Sequence, residues 1–230
     1  MKDLMRDDKH KAEEVSSHGF RILSGEETFD LDKYSFQSEA AKEYFQKALS
    51  LDPNCYDALM GMGICNSYDP REYNKAIAAF KRAIEIRPNE AEPYYQAGLI
   101  FLLDSDRNYE NPIVSGKEEA LQHFQKALEL GYKPQSWLYN HIGTVYSRMG
   151  LYGEAINCFE HSIKYMENEG TWIPSVFFLA ADACETLGKD SEAIKWLVLY
   201  KKQNFGSDTE EIDQRINNLK IISENRKKAL

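Results

Sequence analysis

Apolar positions along this chain recur at helical spacing. Ala76, Phe80 and Ala83 stand at i, i+4 and i+7 and are followed by Pro88; Ala41, Phe45, Ala48 and Pro53 repeat that arrangement upstream. Ala120, Phe124 and Ala127 give a third copy, Ala155, Phe159 and Ser162 a fourth, and Ala193, Leu197 and Tyr200 a degenerate fifth. Residues at these offsets share one face of a helix. The alanines let a neighbouring helix approach closely, and the phenylalanine fills the space between. The proline then stops one helix or opens the next, because it has no N–H to donate.

A second helix precedes each of the later copies: Leu59-x2-Met62-Gly63, Tyr94-x2-Ala97-Gly98-x2-Phe101, Tyr139-x2-Ile142-Gly143-x2-Tyr146 and Phe177-x2-Ala180-Ala181-x2-Cys184. Glycine inside a helix costs roughly 1 kcal/mol against alanine. Three of these four helices accept that cost at the same place, which predicts close backbone contact there. The copies recur every 35 to 44 residues, the mark of a stacked array rather than one globule. No stretch alternates as a strand does.

The expected architecture is therefore all-α: a solenoid of about five helix pairs over residues 11–206, with repeats at about 11–53, 54–88, 89–133, 134–170 and 171–206. An N-terminal segment, 1–10, precedes it and a C-terminal capping helix, 207–230, follows. Ser115-x2-Glu118 and Ser207-x2-Glu210 read as capping boxes, and Gly150 and Gly188 sit where a tight interhelix turn needs a positive φ. In the last helix Ile212, Ile216, Leu219 and Ile222 form one apolar stripe without the Ala-Phe-Ala pattern, so it covers the fifth pair and receives no further repeat. Two connections are longer than the rest. Gly19 to Ala41 and Gly98 to Ala120 span 22 residues, against 12 or 13 in the other repeats. The inserted segments Ser24–Gln37 and Asp104–Gly116 are expected to project from the same rim.

Composition narrows the function. The 230 residues are 43% hydrophobic and 28% charged, with a net charge of −9, the profile of a folded chain. No basic patch suited to a phosphate backbone is visible, so no nucleic acid is expected, and a basic peptide or protein fits the charge better. Arg226-Lys227-Lys228 suits the C-terminal end of a helix dipole. The N-terminus has no apolar core for a signal peptide and no stretch is long enough for a membrane span; a cytoplasmic protein with no membrane partner is expected.

The repeated residues resemble the tetratricopeptide repeat family, whose pattern is matched most fully from Tyr139 through Phe159. The resemblance implies a right-handed superhelix in which the first helix of each pair lines a concave groove for peptides. By register it points to Ser16 and Phe20, Met60 and Ile64, Tyr95 and Leu99, Asn140 and Thr144, and Phe178 and Asp182 as groove-facing. The peptide- or partner-binding residues expected from it are Met60, Ile64, Tyr95, Leu99, Asn140, Thr144, Phe178 and Asp182. One subclass of the family holds a C-terminal carboxylate with Lys, Asn and Arg from these rows. Here only Asn140 is of a suitable type, so that mode is not expected.

No chemistry stands out beside this. Ser115-Gly116-Lys117 lacks the upstream glycines of a phosphate loop, and Gly61-Met62-Gly63 follows no strand. His10, His18, His123, His141 and His161 have no paired ligand spacing, and Cys55, Cys65, Cys158 and Cys184 form no CxxC. No catalytic residue, metal or cofactor is expected. Two functions remain: a non-catalytic interaction module or adaptor that binds a peptide segment or partner protein, and a structural spacer or self-associating repeat region of a larger assembly.

Overall fold

The structure, a computed structural model, describes residues 2–24, 31–104, 116–203 and 209–228. Among these residues every regular element is helical. The chain divides into two compact units, Met1–Leu130 and Gly131–Leu230. The first holds α1 (Lys2–Leu23), α2 (Leu31–Leu51), α3 (Tyr56–Ser67), α4 (Tyr73–Ile86), α5 (Glu92–Asp104) and α6 (Gly116–Glu129), with one 3-10 turn at Pro70–Glu72. The second holds α7 (Gln135–Arg148), α8 (Tyr152–Glu169), α9 (Ser175–Thr186), α10 (Asp190–Lys202) and α11 (Thr209–Lys228).

Within each unit every helix packs on the next in sequence. The first helices of successive pairs also touch, α1 with α3, α3 with α5, and α7 with α9. This is the layering of an α-solenoid.

The predicted Ala-Phe-Ala faces form the core. Ala41, Phe45, Ala48, Ala76, Phe80, Ala83, Ala120, Phe124, Ala127, Ala155 and Phe159 all have 0% exposure. Each phenylalanine lies against the glycine of its paired first helix. A methyl group at Gly63 would fall 2.3 Å from a ring carbon of Phe80, at Gly98 2.7 Å from Phe124, and at Gly143 2.6 Å from Phe159. The close approach expected at these glycines thus comes from an aromatic ring, not from backbone. Phe45 is held from two sides, since methyl groups at Gly19 and Gly61 would lie 2.7 and 2.3 Å from it. In the fifth pair Ala181 and Leu197 take these positions, both fully buried, with a methyl where the glycine was and a smaller side chain where the ring was.

The turns follow their expected chemistry. Gly150 and Gly188 have φ of 78° and 69°, and the N–H groups of Leu151 and Lys189 reach back to the carbonyls of Tyr146 and Cys184 at 2.9 Å, closing α7 and α9. Ser162, which replaces alanine in the fourth copy, is fully buried and donates from its Oγ to the Ser136 carbonyl at 2.8 Å. The Glu169 carboxylate caps α7, accepting from the N–H groups of Gln135 and Ser136 at 2.8 and 3.0 Å.

Three expectations need correction. Residues 2–10 are not a separate segment; α1 runs through them, for no glycine or proline interrupts the chain before Gly19 and an Asp7–Lys11 pair supports the first turns. The segment Ser24–Gln37 is not all loop, because α2 begins at Leu31; residues 25–30, most of Asp104–Gly116, and the capping residues Ser115 and Ser207 lie outside the described residues. The stripe on α11 stops at Leu219. Ile212, Ile216 and Leu219 are buried against the fifth pair, but Ile222 is 42% exposed. Ten residues at about 100° each bring Ile222 roughly 80° away from Ile212, and Arg226 continues the docked face instead.

Helix α11 is fastened by charge as well as by its aliphatic side chains. Arg226 donates to the Gly188 carbonyl at 3.1 Å and to the Asp190 carboxylate at 2.9 Å, and Asp190 is only 5% exposed. Arg215 bonds Glu185 at 2.8 Å and also pairs with Asp182, while Lys201 pairs with Asp213.

Two outcomes are expected in urea unfolding. Gly63→Ala lowers stability, because overpacking costs about 1–3 kcal/mol against a helix-propensity gain of about 1 kcal/mol. Gly153→Ala, in α8 with open space around its Cα, gains part of that propensity without a clash. Equal midpoints for the two variants would rule out the glycine–phenylalanine interlock. For the cap, Ile216→Ala lowers stability by about 2–5 kcal/mol, and removal of residues 207–230 lowers the melting temperature and promotes aggregation by baring Trp196 and Tyr200. A truncated chain with an unchanged melting temperature would show that α11 does not cap the array.

Candidate functional site

The interlock decides which part of each first helix is free. The glycine faces the second helix of its own pair. Residues one position later lie roughly 100° around the helix, and residues three positions earlier roughly 60°. In the first unit the later positions are Phe20, Ile64 and Leu99, all half-buried, so each keeps an accessible edge. The Phe20 ring stands edge-on to Phe45 at 5.0 Å.

The earlier positions behave differently. Ser16 is fully enclosed, and Met60 and Tyr95 are 5% and 8% exposed. Their side chains turn inward, with the Ser16 Oγ 3.4 Å from Cys55 Sγ at the start of the next pair and the Tyr95 ring 6.0 Å from Phe124 on the second helix of its own pair. Met60 and Tyr95, expected to line an open groove, are therefore packing residues in the free chain.

In the second unit, Thr144 is half-buried and its Oγ1 donates to the Asn140 carbonyl at 2.8 Å. Asn140 is 5% exposed, so it too is not the open contact expected, and its Oδ1 has no hydrogen-bond partner in the structure. A buried acceptor left so is costly. Phe178 is half-buried, its ring 4.5 Å from Tyr200. Asp182 is exposed, but its carboxylate is already taken by Arg215.

Of the eight expected binding residues, the structure thus brings Ile64 and Leu99 to one accessible row in the first unit, and Thr144, Phe178 and Asp182 to the surface of the second. Sequence reasoning missed Glu185 and Arg215, which close over Asp182. It also missed Tyr68 and Leu103, exposed at 55% and 48%. Both follow their glycine by five residues, a register that was available to find them.

Burial pushes the Cys65 and Cys184 thiols up and Cys158 up to about 11, so they stay protonated and weakly nucleophilic at neutral pH. Four histidines stack on aromatic rings: His18 on Tyr44, His123 on Phe101, His141 on Trp137 and His161 on Tyr139. Among the described residues no three His, Cys, Asp or Glu side chains gather to hold a metal, and no helix is long and apolar enough to cross a membrane.

His141 adjoins Asn140 on α7. Burial, helped by the charge of Arg148, pushes it down to about 4, against about 6.5 for a free histidine. The unfolded chain therefore takes up a proton between pH 6.5 and 4 that the folded chain refuses, and stability is lost as pH falls through that window. In urea unfolding from pH 7 to 4, His141→Gln is expected to shallow this decline. An unchanged slope would show that the imidazole titrates freely.

Comparison with known proteins fits this architecture. The sequence matches the TPR repeat pattern over residues 71–104 and the tetratricopeptide repeat pattern over residues 34–55 and 138–168. It is 28% identical over 159 residues to anaphase-promoting complex subunit 6 of Arabidopsis thaliana, covering 68% of this chain and 27% of that protein. It is 26% identical over 188 residues to the peroxisomal targeting signal receptor of Kluyveromyces lactis, covering 82% and 31%. The chain thus spans less than a third of the curated relatives it matches. Among solved structures, Pseudomonas aeruginosa PilF is similar in fold with a TM-score of 0.69 at 20% identity, covering 95% of this chain and 87% of that one. YrrB, described as a TPR protein with an unusual peptide-binding site, has a TM-score of 0.62 at 21% identity, covering 82% and 88%.

Proposed function

The chain belongs to the tetratricopeptide repeat family, and we propose that it is a non-catalytic adaptor that binds a peptide segment or a partner protein on the accessible face of its first helices. The fold is one used for protein interaction. The reading is carried by the row Phe20, Ile64 and Leu99: in three successive pairs the interlock buries its glycine and leaves an apolar edge one residue further on. Thr144, Phe178 and Asp182 offer a second, more polar surface in the second unit. An apolar anchor flanked by polar groups suits the recognition of a short segment. The peptide-binding description of YrrB and the name of the targeting signal receptor lend the reading support by analogy. Four unpaired cysteines suit a reducing compartment, in keeping with a cytoplasmic place of action.

The test is selection of peptides from a random display library on the full chain. Selected peptides are expected to lose about tenfold or more in affinity to Ile64→Ser/Leu99→Ser or to Phe178→Ser, as interface anchors do, with the helical circular dichroism signal held. Peptides that bind all variants as they bind the unmodified chain would remove the first-helix face from consideration.

A further inference from the structure

The accessible row in the first unit has a companion. Seven residues before Phe20, Ile64 and Leu99 stand Glu13, Asp57 and Glu92. A separation of seven returns to within about 20° of the same face, so each first helix presents an acid two turns before its apolar residue. Because α1 packs on α3 and α3 on α5, the acids and the apolar residues form two parallel rows across three pairs. Past the apolar row, Tyr68 and Leu103 extend it with exposed surface. Among the described residues none of the three acids is in an ion pair; Glu92 accepts from the Gln96 side chain at 2.8 Å. Arg87, five residues before Glu92 in the chain, lies over the Tyr56 ring at 4.2 Å, and Lys9 stands one turn before Glu13 on α1. The sequence adds a wider bias: residues 1–130 hold 24 of the 37 acidic but only 16 of the 28 basic side chains.

We propose, resting on the adaptor reading above, that this face of the first unit takes a cationic amphipathic helix of a partner protein. Its aliphatic residues meet Phe20, Ile64 and Leu99, and its lysines or arginines lie over Glu13, Asp57 and Glu92. The dimensions favour a helix over an extended strand. Seven residues along a first helix set the two rows about 10.5 Å apart, close to the width of one helix with its side chains, about 10–12 Å. Packed first helices stand about 8–10 Å apart, and a helix repeats its apolar face every seven residues over a similar length. One bound helix therefore meets all three pairs with one apolar residue each, its polar flank above the acids.

The test uses the full chain and three fluorescent 18-residue helical peptides that share a leucine face and carry lysine, glutamine or glutamate on the flanks. The lysine peptide is expected to bind tightest and the glutamate peptide weakest. Binding of the lysine peptide is expected to weaken with added salt and to fall roughly tenfold in Glu13→Lys/Glu92→Lys, as loss of charge complementarity predicts. Glu85→Lys/Glu160→Lys, a matched reversal of exposed acids on α4 and α8, is expected to leave it unchanged. If the three peptides bind alike and still depend on Ile64 and Leu99, or if both reversals weaken binding equally, the charge rule is overturned and the adaptor reading stands. If no peptide binds, or none depends on Ile64 and Leu99, the proposed helix site is overturned, and the adaptor reading is decided by the library selection alone.

Discussion

The contact of a phenylalanine ring with a helical glycine is the constraint on which this structure rests. A ring from the second helix enters the space a side chain would occupy on the first, and the two backbones come close enough to exclude water from the ring entirely. Interiors at this density transmit small changes in volume, so the contact fixes rotation and register together. Phe45 shows how pairs are joined as well as built: it meets Gly19 of its own pair and Gly61 of the next. A single ring thus sets where the following pair begins. Elsewhere the exchange of volume is visible in the fifth pair, where Ala181 and Leu197 split the same space differently.

Much of this was legible in the residues. The Ala-Phe-Ala spacing and its degenerate copies located the second helices, the glycines located the first helices of the first four pairs, and Gly150 and Gly188 marked turns that do have positive φ. These signals are local, and each follows from the shape of a helix or a turn. What escaped the sequence depends on neighbours remote in the chain. Met60, Tyr95 and Asn140 share a face with Ile64, Leu99 and Thr144, yet packing encloses the one set and leaves the other with an open edge. Periodicity gives the angle of a side chain around its own helix; it does not give the depth to which its neighbours bury it. Ile222 failed for the simpler reason that ten residues are not a whole number of turns.

Polar residues carry the parts of the fold that the apolar ladder leaves unfinished. Ser162 supplies a hydroxyl where the other copies have alanine and uses it on the Ser136 carbonyl. Glu169 holds the first N–H groups of α7, which would otherwise lack partners. At the far end, α11 offers three buried aliphatic side chains and then changes to Arg226, which reaches a buried aspartate and a turn carbonyl at once. A terminal helix must bury one face and solvate the other, and arginine serves both needs, because its stem lies along apolar surface while its head bonds several acceptors.

The same division of labour explains why the accessible face of the first helices varies so freely among the repeats. The interlock occupies the glycine side of the first helices, and the positions three residues before it are buried as well. The positions just after the glycine, and those two turns earlier on the same face, keep an accessible edge. They hold Phe20, Ile64 and Leu99 with Glu13, Asp57 and Glu92 in one unit, and Thr144 and Asp182 in the other, although the Gly-Phe core beneath is nearly constant. Core and contact surface are thus set by different residues of the same helix, a hundred degrees apart. The accessible residues are then free to change from pair to pair without disturbing the register that holds the pairs together.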